Sequence, residues 1–152
     1  MSDQKNLASN RKARHDYDIL ETFEAGMVLT GSEIKSIRAG KIQLRDGYAF
    51  VQKGEVWLEN VNISPYDSAG RDNVLPLRRR KLLLHKREIE KIYGKTQERG
   101  LTLIPLEVYL SRGYAKIRLG IAKGRREYDK REAITKRETD REVERARKSR
   151  SR

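Results

Sequence analysis

Short apolar stretches alternate with polar positions from about Tyr17 to Ala122, and turn-forming residues separate them. Residues 48–51 and 56–58 flank Lys53 and Gly54, which predicts a β-hairpin. Residues 114–121 alternate in the same way. Residues 102–110 predict a further strand, in which Pro105 marks an edge position or a bulge. The pattern therefore predicts a meander of mostly antiparallel strands.

Two short helices are predicted among these strands. Strand material in residues 19–29 is expected to bend at Gly26. Ser32 is then a typical N-cap for a helix over residues 33–39, and Gly40 is predicted to end that helix. A second helix is expected to begin near His85, with Ile89, Ile92 and Tyr93 as its apolar stripe and Gly94 as an interruption.

Short strands with few helices favour a closed barrel, because closure removes exposed sheet edges. A barrel of the oligonucleotide-binding type fits this pattern, and another small β-barrel is the alternative. We expect residues 1–122 to form this body with a basic N-terminal arm. From Lys123 onward bulky apolar residues nearly vanish, so residues 123–152 are predicted to be a basic tail. Such a tail is disordered when free and becomes helical on binding.

Charge points to the class of partner. The chain has 35 Lys and Arg against 22 Asp and Glu, a formal net charge of +13, which attracts a polyanion. Nucleic acid is the leading class, and a basic protein without a ligand is the alternative.

Cys is absent and there are 2 His, which excludes disulfides and a Cys/His zinc site. We expect no metal or cofactor, no membrane span, and a cytoplasmic monomer.

The sequence offers little for catalysis, since no nucleophile with a base and no carboxylate pair stands out. His15 and His85 lie among basic residues and are expected to contact RNA or cap a helix. Gly120 and Gly124 lack the ending of a nucleotide-binding P-loop. We therefore expect a binding protein and not an enzyme.

Basic residues mixed with polar and aromatic ones are more informative. Residues 10–17 (NRKARHDY) combine groups that neutralise phosphates with groups that hydrogen-bond or stack on bases. The alternative is a solvated arm, and residues 78–81 (RRRK) leave the same choice open. Tyr128, with basic neighbours, is predicted to stack on a base or to lie exposed in the tail.

Four stretches resemble the family of small protein B in order and spacing. They are residues 10–17 (NRKARHDY), 23–40 (FEAGMVLTGSEIKSIRAG), 80–84 (RKLLL) and 120–131 (GIAKGRREYDKR). The resemblance implies an oligonucleotide-binding barrel that binds the transfer-RNA-like domain of transfer-messenger RNA (tmRNA, also called SsrA RNA) near its elbow. It also implies delivery of that RNA to stalled ribosomes for trans-translation, in which the nascent peptide is tagged for degradation and the ribosome is rescued.

The resemblance also implies particular residues. Asn10, Glu24 and Leu83 match positions tied to tmRNA binding. Since phosphates repel a carboxylate, Glu24 is expected to accept hydrogen bonds from base or ribose donors or to orient a basic neighbour. The alternatives are a surface salt bridge for Glu24 and a core position for Leu83. The supporting contacts are expected to be Lys12, Arg14, His15, Lys35, Arg38 and Lys81.

In the tail, the resemblance implies action inside the ribosome, against small-subunit ribosomal RNA, where the segment senses an empty mRNA channel. The matching positions are Gly124, Asp129, Lys130 and Arg131. Tyr128 stands where the family often has His, and it can stack but cannot become cationic near neutral pH. The main rival is a general RNA-binding barrel, such as a ribosomal or RNA-chaperone protein, which would not prefer one folded RNA.

Overall fold

The computed structural model describes residues 4–66, 74–98 and 100–124. The elements in these residues are β1 (Gln4–Ser9), α1 (Arg11–Asp16), β2 (Tyr17–Met27), α2 (Gly31–Arg38), β3 (Ile42–Gln43), β4 (Tyr48–Gln52), β5 (Glu55–Glu59), β6 (Asn62–Ile63), β7 (Arg80–Leu83), α3 (Lys86–Thr96), β8 (Leu101–Ser111) and β9 (Tyr114–Gly124).

A closed ring of antiparallel strands forms the body. In the described residues its order is β8-β4-β5-β7-β2-β9, and β9 pairs back onto β8. Strand β1 adds to β8, and β3 pairs with β6 in a small separate sheet. The predicted mainly β fold and antiparallel barrel of the oligonucleotide-binding type are confirmed.

Inward-facing aliphatic side chains fill the barrel. Val56, Ile117 and Leu119 are fully buried in one cluster, and Ile92 brings α3 into the same core. Burying such side chains stabilises each by about 1.5 to 3 kcal/mol relative to leaving it in water. The barrel is thus a rigid support for the outward-facing residues of its strands.

Two local predictions hold for clear physical reasons. Lys53 and Gly54, both with positive φ (52° and 75°), form the two-residue turn between β4 and β5, as the primed hairpin turns require. The ladder between β8 and β9 shifts register between Pro105 and Glu107, so the expected irregularity at Pro105 is a bulge.

The N-cap of α2 and the apolar stripe of α3 differ from the predictions. The N-cap of α2 is Thr30, not Ser32, because Thr30 accepts from the backbone N–H of Glu33 while the Glu33 carboxylate accepts from the N–H of Thr30. Helix α3 follows His85 as predicted, and it continues through Gly94. Tyr93 is 52% exposed and so does not belong to the buried stripe.

Residues 4–16 are not a solvated arm. Strand β1 pairs with β8, and α1 follows directly, so residues 4–16 contain regular structure. Strand β2 is also continuous through Gly26, where a bend was predicted, and its irregularity lies between Ile19 and Glu21. Pairing of β2 with both β7 and β9 keeps the backbone extended at Gly26.

Candidate nucleic-acid interface

A polar network crosses three neighbouring strands on the outside of the barrel. The Tyr109 hydroxyl of β8 donates to the Glu24 carboxylate of β2. Arg118 of β9 lies between them, with its guanidinium 5.3 Å from the centre of the Tyr109 ring. Arg118 Nε donates to Glu107 Oε2 at 2.7 Å. We call these four residues the Glu24 network.

The network leaves the Glu24 carboxylate accessible to a partner. Glu24 is exposed, whereas Tyr109 is 2% exposed. Burial, and then the bond to Glu24, raises the pKa of the Tyr109 hydroxyl above its ordinary value, so the hydroxyl remains a proton donor at neutral pH. The alternative of a surface salt bridge for Glu24 does not describe this arrangement, because its partner here is a neutral hydroxyl.

Leu83 lies beside Glu24 on the same outer face. It pairs with Gly26, two residues beyond Glu24 on β2, and it is 53% exposed, whereas Leu82 is 1% exposed. A Cβ added at Gly26 would meet Leu83 Cβ at an ordinary 3.6 Å. The core alternative for Leu83 is therefore wrong, and the face offers an apolar spot next to a carboxylate.

Two predicted cations flank this face. Lys81 belongs to β7, and its Nζ lies 2.6 Å from Glu55 Oε2. The exposed Arg38 at the end of α2 donates from Nη2 to the carbonyl of Gly113 at 3.2 Å, which places it at the turn between β8 and β9. Lys35, also exposed, lies elsewhere on α2, with its Nζ 5.7 Å from the centre of the Tyr66 ring.

Helix α1 carries the other predicted contacts. Arg14 approaches the Glu24 network, since its Nη2 lies 3.9 Å from Glu107 Oε2. Lys12 Nζ pairs with Asp46 Oδ1 at 3.1 Å. His15 Nδ1 lies 3.1 Å from Asp16 Oδ1. Lys12, Arg14 and His15 are all exposed, so α1 presents a basic surface.

Asn10 serves the fold directly. It is 4% exposed, and its side-chain oxygen caps α1 by accepting from Ala13 N at 3.1 Å. Its Nδ2 donates to the carbonyls of Pro105 and Leu44 at 2.9 and 3.3 Å. Since these internal bonds occupy both ends of the amide, Asn10 positions α1. A direct contact with RNA remains a prediction.

A cleft of about 350 Å³ lies between α1 and the start of β4, with Lys12 and Asp46 in its lining. Asn10, Tyr48 and Ile104 also line it. The structure thus divides the predicted site into two parts. Glu24, Leu83 and Lys81 form one part, and α1 with this cleft forms the other, which Arg14 joins to the first through Glu107.

Two of the basic residues in the run 78–81, Arg78 and Arg80, have a different role from the one expected. Glu33 accepts from Arg78 Nη2 at 2.6 Å and from Arg80 Nε at 2.9 Å, and both Glu33 and Arg80 are buried. Arg80 also donates to the carbonyls of Val61 and Pro76, at 2.7 and 3.0 Å. We call Glu33, Arg78 and Arg80 the Glu33 triad. Arg80 is therefore a core residue and neither an RNA contact nor a solvated cation.

The sequence reasoning missed Tyr109, Arg118 and Glu107. No local signal joins Glu24 to Tyr109, which lies 85 residues away. Of the predicted tail residues, Gly124 ends β9 and pairs with Tyr17. Tyr128, Asp129, Lys130 and Arg131 lie outside the described residues.

Residues 4–66, 74–98 and 100–124 contain no group of three or more His, Cys, Asp or Glu able to hold a metal ion. No helix in these ranges has the length and apolarity needed to cross a membrane.

An antiparallel barrel of this type, with an exposed face of cations and polar acceptors beside an apolar spot, defines a nucleic-acid-binding barrel. The model of the SmpB protein family matches residues 7–149. The chain belongs to the SmpB family.

Curated relatives agree with this assignment. The SsrA-binding protein of Latilactobacillus sakei subsp. sakei (strain 23K) is 60% identical over 140 residues, covering 92% of this chain and 90% of the relative. That of Anoxybacillus flavithermus (strain DSM 21510 / WK1) is 59% identical over 142 residues, covering 93% and 92%.

A solved structure described as "tmRNA-SmpB: a journey to the center of the bacterial ribosome" contains a similar chain. That chain is 52% identical with a TM-score of 0.67, and the match covers 77% of this chain and 82% of that one. Both the fold and the sequence of this protein thus match the family.

Proposed function

We infer that this protein binds tmRNA and acts with it on the ribosome in trans-translation. The observation that carries this inference is the 60% identity to an SsrA-binding protein over 92% of the chain. This identity extends over 90% of the relative as well, so it spans the whole barrel and not one motif. The protein supplies shape and charge, and we propose that it makes and breaks no covalent bond.

We propose the recognition residues from their positions in the fold. We assign Glu24, Leu83, Lys81 and Arg38 to one contact face for the transfer-RNA-like domain, with Lys12, Arg14 and His15 on α1 continuing it. Cations bind phosphates, whereas Glu24 accepts from base amino groups or ribose hydroxyls. Asn10 contributes by holding α1. Lys35 is assigned a supporting contact next to Tyr66.

Glu24→Ala tests this function against a general RNA-binding barrel. Removing a negative charge raises the affinity of a basic protein for any polyanion, so weaker binding indicates a specific contact. We expect affinity for tmRNA to fall about 10- to 100-fold, as for loss of a charged hydrogen bond. Glu21→Ala is the matched control, because Glu21 lies on the same strand and pairs with Lys91 at 2.7 Å.

The assay is binding to tmRNA with total transfer RNA as competitor at near-physiological salt, because low salt exaggerates nonspecific affinity. Selective binding that Glu24→Ala weakens and Glu21→Ala does not supports the proposal. Equal affinity for unrelated RNAs of similar length would leave only a general RNA-binding barrel.

We further propose that the basic tail acts on the ribosome, against small-subunit ribosomal RNA, and senses an empty mRNA channel. Of the 30 residues from Lys123, 13 are basic and 7 acidic, which suits ribosomal RNA. Because Lys123 and Gly124 belong to β9, the chain should be cut after Gly124. Removing residues 125–152 should leave tmRNA binding nearly intact and abolish peptide tagging on stalled ribosomes. Loss of tmRNA binding in this variant would contradict the proposed division between a barrel that binds tmRNA and a tail that acts on the ribosome.

For the setting of this activity we propose a cytoplasmic monomer that needs no metal or cofactor. The partners are then tmRNA and the ribosome.

A further inference from the structure

Glu24 is held by a residue on another strand. Glu24 and Arg118 face each other in the ladder between β2 and β9, so an ion pair between them would be the simplest outcome. Instead, Arg118 Nε bonds Glu107, its partner in the ladder between β8 and β9, at 2.7 Å. Glu24 accepts its hydrogen bond from the Tyr109 hydroxyl, two strands away.

We propose that Tyr109 is a positioning residue for RNA recognition, which holds the Glu24 carboxylate in its binding orientation through the hydroxyl. This inference rests on the proposed function and extends it to a buried residue. Tyr109 does not touch the RNA, because it is 2% exposed.

A neutral hydroxyl suits this task better than a cation does. An Arg or Lys partner would neutralise the carboxylate and compete with RNA donors for its oxygens. The Tyr109 hydroxyl occupies Oε2 and leaves Glu24 charged and exposed. The carboxylate can then accept from a base amino group or a ribose hydroxyl.

The packing around Tyr109 makes its hydroxyl a fixed donor. Its ring is buried, and the Arg118 guanidinium covers one face at 5.3 Å from the ring centre. Glu107 holds that guanidinium in place. A surface glutamate otherwise loses rotamer freedom when it binds, so fixing it in advance lowers the entropic cost of association.

The test is a double-mutant cycle in tmRNA binding, made of Tyr109→Phe, Glu24→Ala and the double variant. Tyr109→Phe removes one oxygen, and we expect affinity to fall about 2- to 10-fold. In the Glu24→Ala background the same change should have no further effect, because its target is gone. Tyr93→Phe is the control, since Tyr93 is 52% exposed on α3, which carries no residue of the proposed contact face, and it should bind like the wild type.

A purely structural role for Tyr109 gives a different result. Tyr109→Phe would then weaken binding by the same factor with or without Glu24, which would overturn the proposal, as would unchanged affinity in Tyr109→Phe. If Tyr109→Phe fails to fold, Glu24→Asp replaces it, because the shorter side chain keeps its charge but draws the carboxylate away from the hydroxyl. We expect the same 2- to 10-fold loss there, and wild-type affinity would refute the positioning role.

The two proposals fail in distinguishable ways. If the wild-type protein shows no preference for tmRNA over transfer RNA, the proposed function fails and the role of Tyr109 fails with it. If Glu24→Ala weakens binding while Tyr109→Phe does not, the function stands and the inference about Tyr109 is wrong.

Discussion

Glu33 and Glu24 are both carboxylates that receive hydrogen bonds from side chains far away in the sequence, yet their surroundings differ completely. Glu33 is 3% exposed and bonds two guanidinium groups, whereas Glu24 is exposed and bonds one neutral hydroxyl. The charge of Glu33 is balanced inside the protein, so it serves the fold. The charge of Glu24 remains available to a partner. The kind of donor therefore separates a structural carboxylate from one suited to recognition.

The largest effect is expected for Glu33→Ala, which leaves the buried Arg80 without its counter-charge. Breaking a buried pair in this way costs about 3 to 5 kcal/mol in the free energy of unfolding, measurable by urea denaturation. The control is Glu55→Ala, which removes the partly exposed partner of Lys81 and should cost less than about 1 kcal/mol. Equal losses in the two variants would mean that burial does not distinguish these carboxylates.

The neighbouring leucines extend the comparison to apolar residues. Leu82→Ala empties a core position that is 1% exposed and should reduce stability by about 2 to 5 kcal/mol. Leu83→Ala acts on a side chain that is 53% exposed, so its effect on stability should stay within about 0.5 kcal/mol while affinity for tmRNA falls. Denaturation and RNA binding of both variants check this. A Leu83→Ala protein that binds normally would remove Leu83 from the contact face.

The smallest effect is a change in acid sensitivity. Burial alone would raise the pKa of Glu33, but hydrogen bonds from Arg78, the Thr30 backbone and Arg80 together hold it below its ordinary 4.5. The ionised Glu33 carboxylate therefore contributes its full stabilisation above the pKa that it has in the unfolded chain. This stabilisation is lost as the pH falls through the lower pKa that Glu33 has in the folded protein.

Glu33→Gln lacks this ionisation. The stability gap between wild type and this variant should narrow as the pH falls from neutral to below the ordinary glutamate pKa. Urea denaturation over that pH range measures the gap. A gap that stays constant would show that the charge of Glu33 contributes nothing to the triad.

Local residue chemistry made parts of this fold predictable. Lys53 and Gly54 predict the two-residue turn between β4 and β5. Pro105 has no N–H to donate, so a strand that contains it and is paired is expected to have a bulge there. Strand alternation could have said more. Once β7 begins at Arg80, Arg80 and Leu82 must face inward, while Lys81 and Leu83 face outward. The four consecutive basic residues at 78–81 instead suggested a continuous exposed stretch. The alternation of buried and exposed positions along β7 was therefore missed.

Other features depend on contacts that no local pattern contains. Tyr109 reaches Glu24 across 85 residues of sequence, and Arg80 reaches Glu33 across 47. Arg is also rarely buried in proteins, so the residue type alone predicts that Arg80 is exposed. The N-cap role of Asn10 could have been anticipated from the helix that follows it, but its two carbonyl partners arise from the tertiary fold.

The position of β9 in the ring bears on how the chain folds. It pairs with β2 near the start of the chain and with β8 just before it, so Tyr17 meets Gly124. A nascent chain cannot close the barrel until its last strand has left the ribosome, and pairing across such a sequence separation is slow. A chain that ends before Tyr114 lacks β9, which leaves β2 and β8 with open edges that favour aggregation.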